Sequence, residues 1–188
     1  MNSGLIILLV TVGILVIVYI FIYNGLVSRK NQVEYADGAV NTMFKNRYDL
    51  IPNLVATVKQ YMQHEKGLLE QLTRLRSGFA GKHLDTEQIN EWEQQYGKAI
   101  KAFNLTVESY PDLKAGEQFS RLQASLNECE AQLAAARRTY NAAVMEYNNA
   151  LEMFPSNIVA SMMHYKRKKM IEASQQEQKT PDVNSLFG

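Results

Sequence analysis

The pattern of hydrophobic and polar positions divides the chain into an uninterrupted apolar segment near the N-terminus and a longer part with helical periodicity. Residues 5–23, LIILLVTVGILVIVYIFIY, contain no charged side chain. A helix of this length is about 28 Å long, close to the thickness of a bilayer's hydrocarbon core. A cleaved signal peptide is the alternative, but no Lys or Arg precedes the segment and no A-x-A-like site follows it. We therefore predict a short extracytoplasmic N-terminus (1–4) and a transmembrane helix (5–23).

From residue 24 onward, apolar residues recur every three or four positions, and no stretch alternates with the period of a strand. This pattern predicts an all-α protein in which the transmembrane helix is followed by an antiparallel up-and-down four-helix bundle (24–170). The fourth helix is the longest and has a seven-residue, coiled-coil-like spacing of apolar positions. The polar C-terminal segment (171–188) is expected to be disordered. The four bundle helices are predicted at about 26–48, 53–76, 85–107 and 113–153.

Two prolines are predicted to mark helix breaks. A proline inside a helix costs about 3 kcal/mol, because it lacks an N–H and its ring clashes with the preceding turn. Asp49 can cap a new helix that has Pro52 in its first turn, where the missing N–H has no intrahelical partner. A continuous, kinked helix is the alternative. In the same way, Pro155 is expected to end the fourth helix and to precede a short helix that the basic run 166–169 closes.

Charge is distributed unevenly around the apolar segment. Arg29 and Lys30 follow it, whereas residues 1–4 carry no charged side chain. The positive-inside rule then places the N-terminus outside and the bundle in the cytoplasm. The formal net charge of +1 gives no general attraction to nucleic acid. A single cysteine, Cys129, excludes a disulfide within the chain.

No catalytic, cofactor or metal motif stands out in the sequence. His64 and Glu65 resemble the start of H-E-x-x-H, but Leu68 occupies the position of the second histidine. Tyr61, His64, Glu65 and Leu68 are expected to share one helix face. We therefore predict a non-enzymatic protein that has no catalytic, cofactor-binding or metal-binding residues. The alternative is a receptor or enzyme with a small-ligand pocket inside the bundle, which needs polar groups pointing into the core. Convergence of His64, Glu65 and Asn141 in one concave site would favour it.

Two Tyr-Asn pairs lie seven residues apart on the fourth helix, Tyr140-Asn141 and Tyr147-Asn148. In one interpretation the tyrosines fill a seam inside the bundle and the asparagines form hydrogen bonds at its edge. In the other, the asparagines contact a partner helix and set its register or the oligomeric state. Both interpretations stay open at the level of sequence.

The basic run Lys166, Arg167, Lys168 and Lys169 has three interpretations: a solvated face, a nucleic-acid patch or a membrane-surface contact. A nucleic-acid patch is disfavoured because the run is short and lacks interleaved aromatic residues. If the fourth helix returns toward the membrane, these cations lie on the same membrane face as Arg29 and Lys30. There they can attract anionic lipid headgroups.

Several stretches, in order and spacing, resemble the LemA family of bacterial membrane proteins. They are YNGLVSR, RYDLIPNLV, YMQHE, YPDLKA, LQASL, ARRTYNAAVMEYN and FPSNIVA. The resemblance implies a single-pass protein of the bacterial inner membrane with an all-helical, four-helix soluble domain, and it implies no settled biochemical activity. Together with the residue patterns, it suggests a membrane-anchored scaffold whose partners are the lipid bilayer and either an unknown protein or a second copy of the chain.

Overall fold

The computed structural model of this chain describes residues 3–79 and 83–172. Within these ranges the secondary structure is helical and contains no strand, so the prediction of an all-α protein is confirmed. The described residues form six helices: α1 (Ser3–Val58), α2 (Lys66–Phe79), α3 (Thr86–Val107), α4 (Pro111–Lys114), α5 (Glu117–Glu152) and α6 (Ser156–Met162).

Helix α1 begins with the predicted apolar segment and continues beyond it without a break. Among the described residues, it is the one helix that is long and apolar enough to cross a membrane, judged by length and composition. None of the most apolar part of α1 is buried by the rest of the chain. The next turns have a buried stripe at helical spacing, which begins with Leu26, Val33 and Ala36.

The predicted helix break at Asp49 and Pro52 is wrong, because α1 passes through both residues and ends at Val58. Burial of a large apolar side chain contributes about 1.5–3 kcal/mol. Several such side chains surround the proline on one stripe, so packing outweighs the roughly 3 kcal/mol cost of a helical proline. The buried stripe consists of Phe44, Tyr48, Ile51, Leu54 and Val58.

The chain reverses instead between α1 and α2. The N–H groups of Tyr61 and Met62 donate to the carbonyl of Val58 at 3.0 and 2.9 Å, and the Met62 side chain is fully buried. These bonds satisfy the last carbonyls of α1 in a tight turn. Helix α2 therefore begins at Lys66 rather than near residue 53, and it extends past the predicted end at residue 76.

Contacts divide the chain into two compact units. The first unit consists of Met1–Gly38 and Arg138–Met170, and the second of Ala39–Arg137 and Ile171–Gly188. Helices α1 and α5 contribute residues to both units. In the first unit, α6 and the end of α5 pack on α1 through a core of Leu26, Ala150, Val159 and Ala160.

The second unit packs α3 against α2 and α5. Helix α3 starts with a capping box, in which the Gln88 N–H donates to Asp85 at 2.9 Å and the Asp85 N–H donates to Gln88 at 3.1 Å. The indole N–H of Trp92 donates to the carbonyl of Leu75 on α2 at 3.4 Å. The ring centroids of Phe103 and Phe119, on α3 and α5, are 6.3 Å apart. The predicted third helix is therefore confirmed.

The predicted break at Pro155 is confirmed, since α5 ends at Glu152 and α6 begins at Ser156 with Pro155 as its N-cap. The prediction that the basic run closes the short helix is wrong, because α6 ends at Met162. There the N–H groups of His164 and Tyr165 donate to the carbonyls of Ser161 and Ala160, both at 3.1 Å. This Schellman pattern places His164 at φ 53°, a left-handed conformation usually occupied by glycine.

The predicted disordered tail begins too early. Ile171 is buried, and the Glu172 N–H donates to the side-chain oxygen of Asn90 at 3.1 Å. Apolar burial and this hydrogen bond hold the end of the described chain within the second unit. The rest of the predicted tail, 173–188, lies outside the described residues.

Candidate functional site

Residues 163–170, here called the C-terminal strap, are held on α5 by Asn148. The Asn148 side-chain N–H donates to the Lys168 carbonyl at 2.9 Å, and the Lys168 N–H donates to the Asn148 side-chain oxygen at 2.9 Å. The Tyr140 hydroxyl donates to the Lys169 carbonyl at 3.2 Å. Because the Asn148 side chain is buried, these bonds replace lost hydration and fix the strap's position.

The two Tyr-Asn pairs predicted on the fourth helix lie on α5, largely on its buried side. Tyr140, Tyr147 and Asn148 are buried, and Asn141 is half-buried. Both ends of the Asn148 amide bond the chain's own backbone, so its side chain already has an intramolecular role. Burial raises the pKa of Tyr147, and the nearby Tyr165 and Glu34 act in the same direction. The geometry favours the interpretation in which the pairs serve the chain's own packing.

The strap also contacts α1. The ring centroid of Tyr165 is 6.1 Å from that of Tyr147, and the Lys30 ammonium is 5.8 Å from the Tyr165 centroid, within cation–π range. The structure thus brings Lys30 close to the strap. Arg29 instead donates to the carbonyl of Gly25 at 3.3 Å.

The four basic side chains of the strap, Lys166 to Lys169, are exposed. Arg167 forms an ion pair with Glu152 on α5, and both side chains are more than half exposed. Pairs of this kind contribute about 0–1 kcal/mol in water. The strap therefore presents a cluster of cations to solvent rather than a buried charge network.

Two clefts accompany these elements. In the first unit, a cleft of about 720 Å³ lies between 24–36 of α1 and 139–146 of α5, and its polar lining includes Asn24, Asn31 and Glu146. In the second unit, a cleft of about 710 Å³ includes His64 together with two lysines.

The shared helix face predicted for Tyr61, His64, Glu65 and Leu68 is wrong, because residues 59–65 form the turn between α1 and α2. Glu65 accepts a hydrogen bond from the Tyr110 hydroxyl at 3.4 Å. Within the two described ranges, no group of three or more His, Cys, Asp or Glu side chains is arranged to hold a metal ion. The Glu65 carboxylate thus links this turn to the start of α4.

A buried charge cluster in the second unit was missed at the sequence level. Arg47 on α1 donates to Glu93 on α3 at 2.6 Å and, through Nε, to Glu130 on α5 at 2.6 Å. Arg137 Nη1 lies 3.7 Å from the same Glu93 oxygen. The side chains of Arg47 and Glu93 are 3% and 9% exposed, so this is a desolvated network.

Electrostatics keep Arg47 charged. Burial lowers its pKa, but the carboxylates of Glu93 and Glu130 outweigh burial and raise the pKa above its usual range. Burial raises the pKa of Tyr96, against which the guanidinium stacks. Every member of the cluster lies on an apolar stripe: Arg47 between Phe44 and Ile51, and Glu93 between Ile89 and Tyr96. Charges interrupting a stripe at core spacing are the signal that points to this cluster.

Cys129 also lies on the buried side of α5. Its thiol is 3.9 Å from the Met43 carbonyl, toward which it donates. Burial raises the pKa of the thiol, and Glu130 and Glu128 add to this effect against the opposing influence of Arg47. A protonated, buried thiol is a poor nucleophile, so this cysteine acts as a small core residue.

The chain is similar to a known protein family and to individual proteins from bacteria. The LemA family model matches residues 36–185. Protein LemA of Metamycoplasma hominis is 25% identical over 178 residues, which cover 95% of this chain and 81% of that protein. Magnetosome protein MamQ 2 of Paramagnetospirillum magneticum is 30% identical over 77 residues, which are 41% of this chain and 28% of that protein. Since the family model covers well over half of its length, the chain belongs to the LemA family.

Proposed function

We propose that this LemA-family chain is a single-span membrane protein whose helical part acts in the cytoplasm as a non-enzymatic scaffold, binding another protein or a second copy of itself. The observation that carries the proposal is the structure of α1. Its apolar segment is not covered by the chain, yet the same helix continues unbroken into buried turns. A membrane is the environment in which such a segment is stable.

The orientation rests on the charges that follow the apolar segment. Arg29 and Lys30 lie on its C-terminal side, and cationic flanks stay in the cytoplasm. Alkaline phosphatase fused after Gly188 should be inactive, and a green fluorescent protein at the same position should fluoresce. An exported protein carrying the same phosphatase serves as the positive control. Active phosphatase after Gly188 would place the helical part outside the membrane.

The non-enzymatic assignment is supported by the use made of buried polar side chains. Arg47 is occupied by Glu93, Glu130 and an aromatic ring. Asn148 is occupied by the strap. These groups stabilise helix packing, so their charges and hydrogen-bonding atoms already have partners within the fold.

Scaffolding requires a partner, which crosslinking can reveal. Two apolar side chains outside the apolar segment are exposed: Leu105 on α3 in the second unit is 66% exposed, and Met145 on α5 in the first unit is 50% exposed. A photoreactive phenylalanine at either position, in native membranes, should give a discrete adduct. An adduct of twice the chain's mass indicates self-association, and another mass indicates a different protein. The exposed Glu87 is the control position. Absence of a discrete adduct from both test positions would contradict the scaffold.

Ligand binding is a second candidate, favoured by the cleft in the first unit. Its volume of about 720 Å³ lies in the range typical of small-molecule sites. Ala143 lines the cleft, so Ala143→Phe should fill part of it. A small molecule that copurifies with the native chain in native mass spectrometry, and that is lost in Ala143→Phe, would favour a receptor over a scaffold.

A further inference from the structure

Helix α6 is attached to the end of the apolar segment of α1. Its buried residues Val159 and Ala160 share a core with Leu26, and Ile22 packs against that core. Ile22 belongs to the apolar segment itself, one residue before its end. Because a residue advances a helix by about 1.5 Å, α6 lies at the level where the apolar segment stops. If α1 spans a bilayer, this level is the boundary between hydrocarbon and headgroups.

The outer side of this region is apolar. Ile158 and Met162 are four residues apart and lie on one side of α6, and both are more than half exposed. The turn that leads into α6 exposes two further large apolar side chains. We call these four residues the apolar patch: Met153, Phe154, Ile158 and Met162, at 62%, 80%, 54% and 64% exposure. Four large apolar side chains exposed within ten residues are a concentration of apolar surface that often marks a protein or membrane contact.

Cations follow the patch directly in sequence. Lys166, Lys168 and Lys169 are exposed on the strap, whose backbone is fixed by Asn148 and Tyr140. Lys30, from the first turns after the apolar segment, reaches the strap through Tyr165. Exposed apolar side chains followed by exposed cations on an anchored backbone complement an interface made of acyl chains and anionic headgroups.

We propose that α6 and the strap form a second membrane contact, in which the apolar patch enters the bilayer interface and the strap lysines face anionic lipid headgroups. This inference rests on the proposed membrane span of α1. Continuity with that span and the charge of the strap favour lipid over a protein as the occupant of the patch. The contact would fix the end of α5 and α6 at the bilayer surface through lipid as well as through packing.

Fluorescence quenching by lipid tests the contact in the full chain. Cys129 is the single cysteine, so Cys129→Ala gives a background for one label at a time. The test variant is Met162→Cys, and the matched control is Met145→Cys, another exposed methionine of the first unit. Leu15→Cys reports on the span. Each variant is labelled with a polarity-sensitive dye and reconstituted in vesicles of phosphatidylcholine and phosphatidylglycerol that contain nitroxide-labelled lipid.

The expected result is strong quenching at positions 15 and 162 and weak quenching at 145. Quenching at 15 with equal, weak quenching at 145 and 162 would overturn the second contact and leave the span intact. Weak quenching at 15 would instead defeat the proposed span. Replacing Lys166, Lys168 and Lys169 with Gln should remove the dependence of the signal at 162 on phosphatidylglycerol. An unchanged lipid dependence would overturn the role of the lysines.

Discussion

The guanidinium of Arg47 lies 3.7 Å from the centre of the Tyr96 ring. The N–H groups of the same guanidinium donate to the carboxylates of Glu93 and Glu130. Its charge is therefore neutralised along its edge, while its flat face stacks on the ring. Arginine suits this environment because its planar group can stack and form several hydrogen bonds at once. The pair of residues therefore joins α1 to α3 in the core of the second unit.

Arg47→Ala should destabilise the second unit by about 3–5 kcal/mol, because it leaves the buried carboxylate of Glu93 without its main partner. Unfolding by denaturant in detergent, followed by the fluorescence of Trp92, measures this change, since Trp92 is the single tryptophan. The control is Arg74→Ala, whose side chain is 81% exposed and pairs with Glu70. It should change stability by less than about 0.5 kcal/mol. Equal effects would contradict a structural role of the cluster.

Stability should fall at alkaline pH, partly through Tyr96. Burial raises the pKa of its hydroxyl in the folded state, whereas an unfolded tyrosine titrates near pH 10. Tyr96 therefore contributes its full stabilisation below about pH 10 and loses it as the pH rises toward the raised value. Tyr96→Phe should make the decline above pH 10 less steep, and Tyr35→Phe, at an 81% exposed position, should not. The measurement is the denaturation midpoint as a function of pH. Equal slopes for Tyr96→Phe and Tyr35→Phe above pH 10 would refute this contribution.

Asn148→Ala should loosen the strap. The substitution removes both hydrogen bonds to Lys168, a loss of about 1–3 kcal/mol for buried groups. Because the strap contains trypsin sites, the rate of cleavage after Lys168 should rise about 10-fold, which corresponds to 1.4 kcal/mol of local stability. The exposed neighbour Asn149, replaced by Ala, is the control. Mass spectrometry of the fragments identifies the cleaved bond. Cleavage rates that match in the two variants would show that Asn148 does not hold the strap.

Pro52→Ala should stabilise the second unit by about 1–3 kcal/mol. It restores a donor to the helix and removes the ring's clash, while the buried stripe around it stays the same. Ala56→Pro introduces the same defect one turn later at an exposed position, and it should destabilise by about 3 kcal/mol. Trp92 fluorescence again reports unfolding. A destabilising Pro52→Ala would mean that the native packing depends on the proline's own shape.

The absence of charge marks the apolar segment, helical periodicity predicts the all-α fold, and Pro155 predicts the break before α6. The same proline rule failed at Pro52, because local preference favoured a new helix there while the side chains of Tyr48, Ile51 and Leu54 together favoured continuation. The turn at 59–65 has no proline or glycine to mark it. Tertiary packing of Met62 decides its place, and that contact is not visible in a local pattern.

The candidate sites show the same division. The strap's cations are visible in the sequence. Its attachment is not, because the hydrogen-bonded residues Asn148 and Lys168 are 20 positions apart in the chain. The cluster around Arg47 was visible in principle, because the arginine occupies a core position of its stripe. A charged residue there predicts a buried partner, but its identity depends on which helices meet.

The division of the first unit has a consequence for the order of synthesis. Its two parts come from opposite ends of the chain, with Ala39–Arg137 between them. The ribosome makes about 5–20 residues per second, so Leu26 waits on the order of 10 seconds for Val159 to exist. During that interval the Ala39–Arg137 part of the second unit is already made, while the buried face of the early α1 turns is uncovered. The nascent chain must therefore keep this face of α1 uncovered until α6 is made, although the core of the first unit begins with Leu26, near the start of the chain.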